Sequence, residues 1–157
     1  MKNLRTVVVY MSVSHNNTGM VAKVLADALS ADLKRADQIE PGSLSDYDLL
    51  GFGSGIYNGI HHKALLSLVD SLFQSNKMAF VFSTSGYVTD SRVQKYHEPI
   101  RKLLQTKGFN IVGEFSCQGL NTAGIGMLRP LNKGRPNKED LKRAYDFARN
   151  LLTFSQA

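Results

Sequence analysis

The sequence predicts an α/β fold in which helices cover both faces of a five-stranded parallel sheet. Three observations predict it. Short runs of strand formers alternate along the chain with segments whose apolar residues recur at helical spacing. The runs are continuous rather than alternating, as in strands buried on both faces. Turns rich in Ser, Thr, Gly and Asn follow the strands, and right-handed crossovers place those turns along one edge, where open α/β sheets bind ligands.

The elements follow in order. Residues 6–11 (Thr-Val-Val-Val-Tyr-Met) form a central strand, and Val21, Val24, Leu25, Ala28 and Leu29 mark a helix beginning near Val21. Residues 31–37 are a weak, polar edge strand, after which Pro41-Gly42-Ser43 breaks the chain. Residues 47–54 read as a buried strand, and Leu65, Leu68, Val69, Leu72 and Phe73 give a second helix. Residues 78–82 are a third core strand. Val93, Tyr96, Ile100, Leu103 and Leu104 give a third helix, which Pro99 kinks or begins. Residues 109–117 are the last strand, and residues 119–136 a long irregular loop with four glycines. Asn137 caps a final helix with Glu139 and Asp140 in its first turn and Leu141, Ala144, Tyr145, Ala148 and Leu151 inward. No internal repeat, low-complexity tract or linker divides the chain, so residues 1–157 are expected to form one domain.

Composition narrows the class. With 157 residues, 43% apolar and 20% charged, the chain can bury a full core without staples. A single cysteine, Cys117, excludes an internal disulfide and favours a reducing compartment. There is no signal-peptide shape at the N-terminus and no apolar run near the roughly 20 residues of a membrane span, so a cytoplasmic protein is expected, with no membrane partner. The net charge of +6 is uneven: residues 1–60 carry five basic and six acidic side chains, residues 61–157 fourteen and seven. The basic residues are dispersed along helices with no interleaved aromatics, which fits a solvated surface and no nucleic-acid partner.

The chemistry lies in the turns. Ser12-Val13-Ser14-His15-Asn16-Asn17-Thr18-Gly19 runs from the first strand into a helix N-terminus, where unpaired N–H groups and the helix dipole favour an anion. Ser12, Ser14, Asn16, Asn17 and Thr18 add neutral donors, and no Lys or Arg lies between Arg5 and Lys23. A phosphate monoester suits such a loop. The same residues would equally make an ordinary turn capped by Thr18 or Asn17. A second cluster is Gly53-Ser54-Gly55-Ile56-Tyr57-Asn58-Gly59, a third Ser83-Thr84-Ser85-Gly86-Tyr87, and a fourth begins at Cys117; none contains Asp or Glu.

The missing carboxylates exclude a Mg²⁺-dependent phospho-acceptor site. Gly-x₄-Gly-Lys-Ser/Thr does not occur, and Gly51-x-Gly53 lacks the spacing of a dinucleotide fingerprint. Ala123 stands where a cysteine phosphatase needs Arg. His61 and His62 read as adjacent surface residues in a loop without metal-ligand partners. A planar, heteroaromatic, monophosphorylated ligand fits what remains, with Tyr57 and Tyr87 available to stack.

On Tyr10-x-Ser12-x-Ser14-His15-Asn16-Asn17-Thr18, Gly51-Phe52-Gly53-Ser54-x-Ile56-Tyr57 and Phe82-Ser83-Thr84-Ser85-Gly86, the chain resembles the flavodoxin family, end to end. The resemblance implies a flavodoxin-like three-layer sandwich of strand order 2-1-3-4-5 and non-covalent FMN. It implies that Ser12, Val13, Ser14, His15, Asn16, Asn17 and Thr18 wrap the phosphate. It also implies that Ser54, Gly55, Ile56, Tyr57, Asn58 and Gly59, then Ser83, Thr84, Ser85, Gly86 and Tyr87, flank the ring, with Cys117 at the fourth strand end. The chain departs from the family pattern in a first loop one residue longer, with His15-Asn16 where glycine is usual, and in having no Trp. The implied function is electron transfer between redox proteins, with no catalytic side chain and no metal. The alternatives are an FMN-dependent NAD(P)H oxidoreductase of quinone-reductase type and a flavin-free interaction module. Arg129, Lys133 and Arg135, in a loop without carboxylates, imply a neutral-to-positive field at the ring and an acidic docking face on the partner.

Overall fold

The computed structural model describes residues 3–13, 15–119 and 133–155. Its elements are β1 (Thr6–Met11), α1 (Asn17–Leu29), β2 (Asp32–Arg35), β3 (Leu49–Tyr57), β4 (Ile60–His61), α2 (Lys63–Asp70), β5 (Met78–Ser85), α3 (Asp90–Thr106), β6 (Asn110–Gln118) and α4 (Lys138–Ser155). Five strands run parallel in the order β2-β1-β3-β5-β6, and β4 pairs antiparallel with the end of β3. The five parallel strands are therefore in the expected order, and the added strand is a two-residue return of the β3 hairpin.

Register explains both cores. One face carries Val7, Val9, Leu50, Phe52, Ala79 and Val81, against Leu65, Leu68 and Val69 of α2 and Ile100 and Leu104 of α3. The other carries Val8, Phe80, Phe82, Phe115 and Cys117, against Val21, Ala22 and Leu25 of α1 and Ala144, Ala148 and Leu151 of α4. Two aromatic side chains fit beside one another on that second face because each has a glycine opposite it on β3. Phe80 lies between Gly51 and Gly113, and Phe82 is paired with Gly53. Gly51-Phe52-Gly53 is thus a packing motif, with its glycines accommodating rings.

Several boundaries differ from expectation. α1 starts at Asn17 rather than near Val21, since Thr18 and Gly19 are buried in its first turn. α2 ends at Asp70, which leaves Phe73 off the helix and 81% exposed. α3 starts at Asp90, with the Thr89 hydroxyl accepting from the Arg92 N–H, and passes through Pro99, so the proline does not mark its beginning. On α4 the inward aromatic is Phe147, packed on Phe80 and Phe115, whereas Tyr145 faces outward. Asn137 caps α4 as expected: its side-chain oxygen accepts from the Asp140 N–H, and the Asp140 carboxylate accepts from the Asn137 N–H. Among the described residues no helix is long and apolar enough to cross a membrane.

Candidate functional site

Parallel strands deliver the ends of β1, β3, β5 and β6 to one edge of the sheet. The first loop turns there through two left-handed residues, His15 at φ 59° and Asn16 at φ 53°. They stand where glycine is usual in the family pattern, and asparagine tolerates that region better than most residues. Asn16 is the N-cap, not Thr18 or Asn17, and its carbonyl accepts from the Met20 N–H at 3.1 Å. A left-handed residue followed by the right-handed turn of a helix aims successive N–H groups into one concavity suited to an anion. Gly19 makes the turn possible, because a Cβ there would lie 1.9 Å from Oδ1 of Asn16.

Buried Ser12 and Thr18 flank this turn. The Thr18 hydroxyl is hydrogen-bonded to that of Thr84 at 2.8 Å, tying the first loop to the end of β5. Ser14 lies outside the described residues. A cation lies beside the loop's backbone, although none is supplied by the loop itself. Nη1 of Arg35, at the end of β2, donates to the Ser12 carbonyl at 3.2 Å. Asp37 pairs with that guanidinium and offsets its charge. The sheet brings a cation to the loop from a distant part of the sequence.

The second cluster is strand and tight hairpin rather than open loop. Ser54, Gly55, Ile56 and Tyr57 belong to β3, and the turn is Asn58-Gly59, both at positive φ (52° and 82°). That is the dipeptide two-residue hairpins favour. The Ser54 hydroxyl donates to the Gly55 carbonyl and accepts from the His62 N–H at 2.8 Å. Tyr57 folds back over Gly55, so that a Cβ on Gly55 would meet its hydroxyl at 2.9 Å, and packs edge-on against His62.

In the third cluster Ser83, Thr84 and Ser85 end β5, and the Ser85 hydroxyl donates to the Tyr87 carbonyl. Beyond Gly86, Tyr87 is 54% exposed with the Arg92 guanidinium 5.0 Å from its ring centre. The end of β6 closes on its neighbours. The Gly119 N–H donates to the Ser85 carbonyl, and Gly119 is packed so close to Asn17 that a Cβ would lie 2.7 Å from Nδ2. Burial, and next the Asp140 carboxylate, push the Cys117 thiol up to about 12, which makes it a packing residue and not a nucleophile.

His61 is the largest correction. It is 1% exposed, in β4, with Nε2 on the Phe82 carbonyl at 2.9 Å. Burial, then the neighbouring His97, hold it down at about 3, so it stays neutral. His62 caps α2, its Nδ1 accepting from the Ala64 N–H. Neither is a loop surface residue, because the hairpin turns the chain back beneath the edge.

Sequence reasoning missed the polar layer under that edge. Ser54, Ser83 and Ser116 share one rung across β3, β5 and β6. Ser83 Oγ is 2.7 Å from Nε2 of fully buried His97 and 3.0 Å from Oγ of Ser116. His97 Nδ1 is 2.8 Å from Glu114, which Arg101 holds with two hydrogen bonds. Burial would raise the Glu114 carboxyl, but His97 and Arg101 outweigh it and hold it at about 2. The available signal was a histidine on the apolar face of α3, in helical register with Ile100 and Leu104. A second concavity of about 160 Å³ lies at the opposite sheet edge, among Leu44, Leu50, Leu72 and Phe109. The polar groups of Gln74, Ser75 and Lys77 there are taken up by the protein itself.

The expected basic field is smaller than the count of cations implies. Arg135 is held by two hydrogen bonds to buried Asp140, so Lys133 is the remaining exposed cation of that group; Arg129 lies outside the described residues. Among the described residues no cluster of His, Cys, Asp and Glu could hold a metal.

A model of the flavodoxin domain matches residues 7–137. The chain belongs to the flavodoxin family. It is 43% identical over 150 residues to an uncharacterized protein of Methanocaldococcus jannaschii, covering 95% of this chain and 99% of the other. The flavodoxin fold seen here is similar to oxidised Flavodoxin 2 from Bacillus cereus, with a TM-score of 0.72, 15% identity and coverage of 96% of this chain and 99% of that one. It is also similar to rubredoxin oxygen:oxidoreductase from Desulfovibrio gigas, with a TM-score of 0.69 and 17% identity, over 99% of this chain but 38% of that one.

Proposed function

We propose that this flavodoxin-family chain binds one FMN non-covalently across the loop edge and carries electrons between redox proteins. The observation that supports it most is the first loop, where a concavity of backbone N–H groups opens at a helix N-terminus between two buried hydroxyls. Residues 12–18 hold the phosphate in this reading. The β3–β4 hairpin (Ser54–Gly59) and Ser83–Tyr87 flank the ring, and Cys117 packs beneath it. Tyr57 and Tyr87, both partly exposed at the edge, offer aromatic faces. When bound, FMN supplies reversible storage of electrons. The chain binds and orients it and sets the charge around it.

The loops of the edge contribute no Asp or Glu, and the nearby carboxylates of Asp37 and Asp140 are each paired with arginine. The field at the ring is thus neutral to weakly positive, which favours added electrons relative to an acidic site. Lys133 and Arg92 beside the edge suit an acidic face on the redox partner.

The test is an absorbance spectrum of protein reconstituted with FMN, followed by NADPH addition and then by an electron-donating reductase. A bound-flavin spectrum that NADPH alone leaves oxidised supports a carrier. Steady oxidation of NADPH without the reductase would assign the chain to the oxidoreductases instead.

A further inference from the structure

The buried row Ser116–Ser83–His97–Glu114–Arg101 lies beneath the loop edge, and electron transfer as such does not require it. It begins at Glu114, whose side chain is 27% exposed, and runs inward through fully buried His97 to the Ser83 hydroxyl. Ser83 is followed by Thr84, whose hydroxyl is bonded to Thr18 of the first loop. The row therefore runs from solvent to Ser83, two residues before the end of β5 at the edge.

Its hydrogen bonds are reversible. The Glu114 carboxylate accepts from Nδ1–H of His97 in either protonation state. When His97 is neutral, bare Nε2 accepts from the Ser83 hydroxyl. When it is protonated, Nε2–H donates to Ser83 Oγ, and Ser83 turns its own proton toward Ser116 Oγ at 3.0 Å. Every partner is kept in both states, so charging His97 leaves no buried polar atom orphaned.

The charged groups facing His97 are Glu114 from β6 and Arg101 one turn along α3. His61 of β4 also faces it, with ring centres 5.0 Å apart. His61 donates through Nε2 to the Phe82 carbonyl and remains neutral, so it adds no competing charge. Ser83 and Ser116 complete the surroundings from β5 and β6.

Resting on the FMN reading above, we propose that His97 is the charge-compensating residue of this chain: it takes up a proton when FMN at the loop edge is reduced. The balance is simple. Two electrons and one proton from a donor enter FMN and leave it one negative charge. A second proton, from solvent, enters past Glu114 and comes to rest on Nε2 of His97. Reoxidation by the acceptor protein returns both protons to solvent. Uptake at His97 lowers the cost of the negative charge and couples the potential to pH.

The test is NMR titration of the His97 imidazole in labelled protein, as apoprotein, as oxidised FMN holoprotein and as dithionite-reduced holoprotein. The prediction is a proton affinity at least tenfold higher in the reduced holoprotein than in the oxidised form. Equal affinity in the two redox states overturns the proposal. Failure of the protein to take up FMN is seen before any reductant is added, and overturns the FMN reading and this proposal together. As a second readout, the midpoint potential of His97→Gln should depend less steeply on pH than that of the wild type, a difference that a merely structural role would not produce. Identical pH dependence in a folded His97→Gln holoprotein also overturns it.

Discussion

Gly51 is the residue on which the sheet's packing can be tested most sharply. Its partner in register is Phe80, and a Cβ on Gly51 would lie 2.2 Å from that ring. The ring is fully buried between two sheet neighbours and the helices, so it has little room to move. Gly51→Ala should therefore cost about 1–3 kcal/mol, the usual penalty for overpacking a core. Gly42→Ala, where a Cβ meets nothing within 4 Å, should leave stability nearly unchanged. Urea unfolding midpoints of the two variants check this, and similar midpoints would refute the packing role.

At the scale of elements, the site depends on how β5 is tied to the first loop. The Thr18–Thr84 hydrogen bond joins two hydroxyls that are both almost fully buried. Thr18→Val or Thr84→Val alone strands one hydroxyl and should cost about 1–3 kcal/mol, whereas the double variant should cost less than the two summed. Strict additivity in denaturant unfolding would show that the contact contributes nothing. The buried parallel strands were legible in the sequence because continuous apolar runs leave few other readings. The polar turn from β1 into α1 was legible as a strand-to-helix connection, although the same residues suit an anion site and an ordinary capped turn alike. The hairpin was less so: β4 has two residues, too few for a periodicity, although Asn58-Gly59 carried its turn signal. From sequence alone His61 reads as a surface residue, because its partner, the Phe82 carbonyl, is reached only through the sheet. The Arg35–Ser12 and Arg135–Asp140 contacts likewise needed coordinates, Arg35 lying across β2 and Arg135 taking up a carboxylate already assigned to helix capping.

For the molecule as a whole, acid should be the weak side of stability. His61, held down at about 3, resists a proton that the unfolded chain accepts below about pH 6.5. Between those values the unfolded state binds more protons, so stability falls with falling pH by up to about 1.4 kcal/mol per pH unit from this group. Glu114 acts lower: its contribution is full above the ordinary carboxyl range and is lost as pH falls towards about 2. His61→Gln can keep the donor to the Phe82 carbonyl without the titration, and should flatten the dependence between pH 4 and 6. Denaturant midpoints across that range decide it, and a slope equal to wild type would remove His61 from the account.

The central claim is that the concavity between β1 and α1 binds the phosphate of FMN. Fluorescence titration of apoprotein with FMN and with riboflavin tests it directly, because the two ligands differ only in that group. The account predicts FMN binding at least tenfold tighter than riboflavin, with Thr18→Ala or Ser12→Ala losing about 1–3 kcal/mol toward FMN and much less toward riboflavin. Equal affinities for the two flavins, or binding of neither, would contradict it.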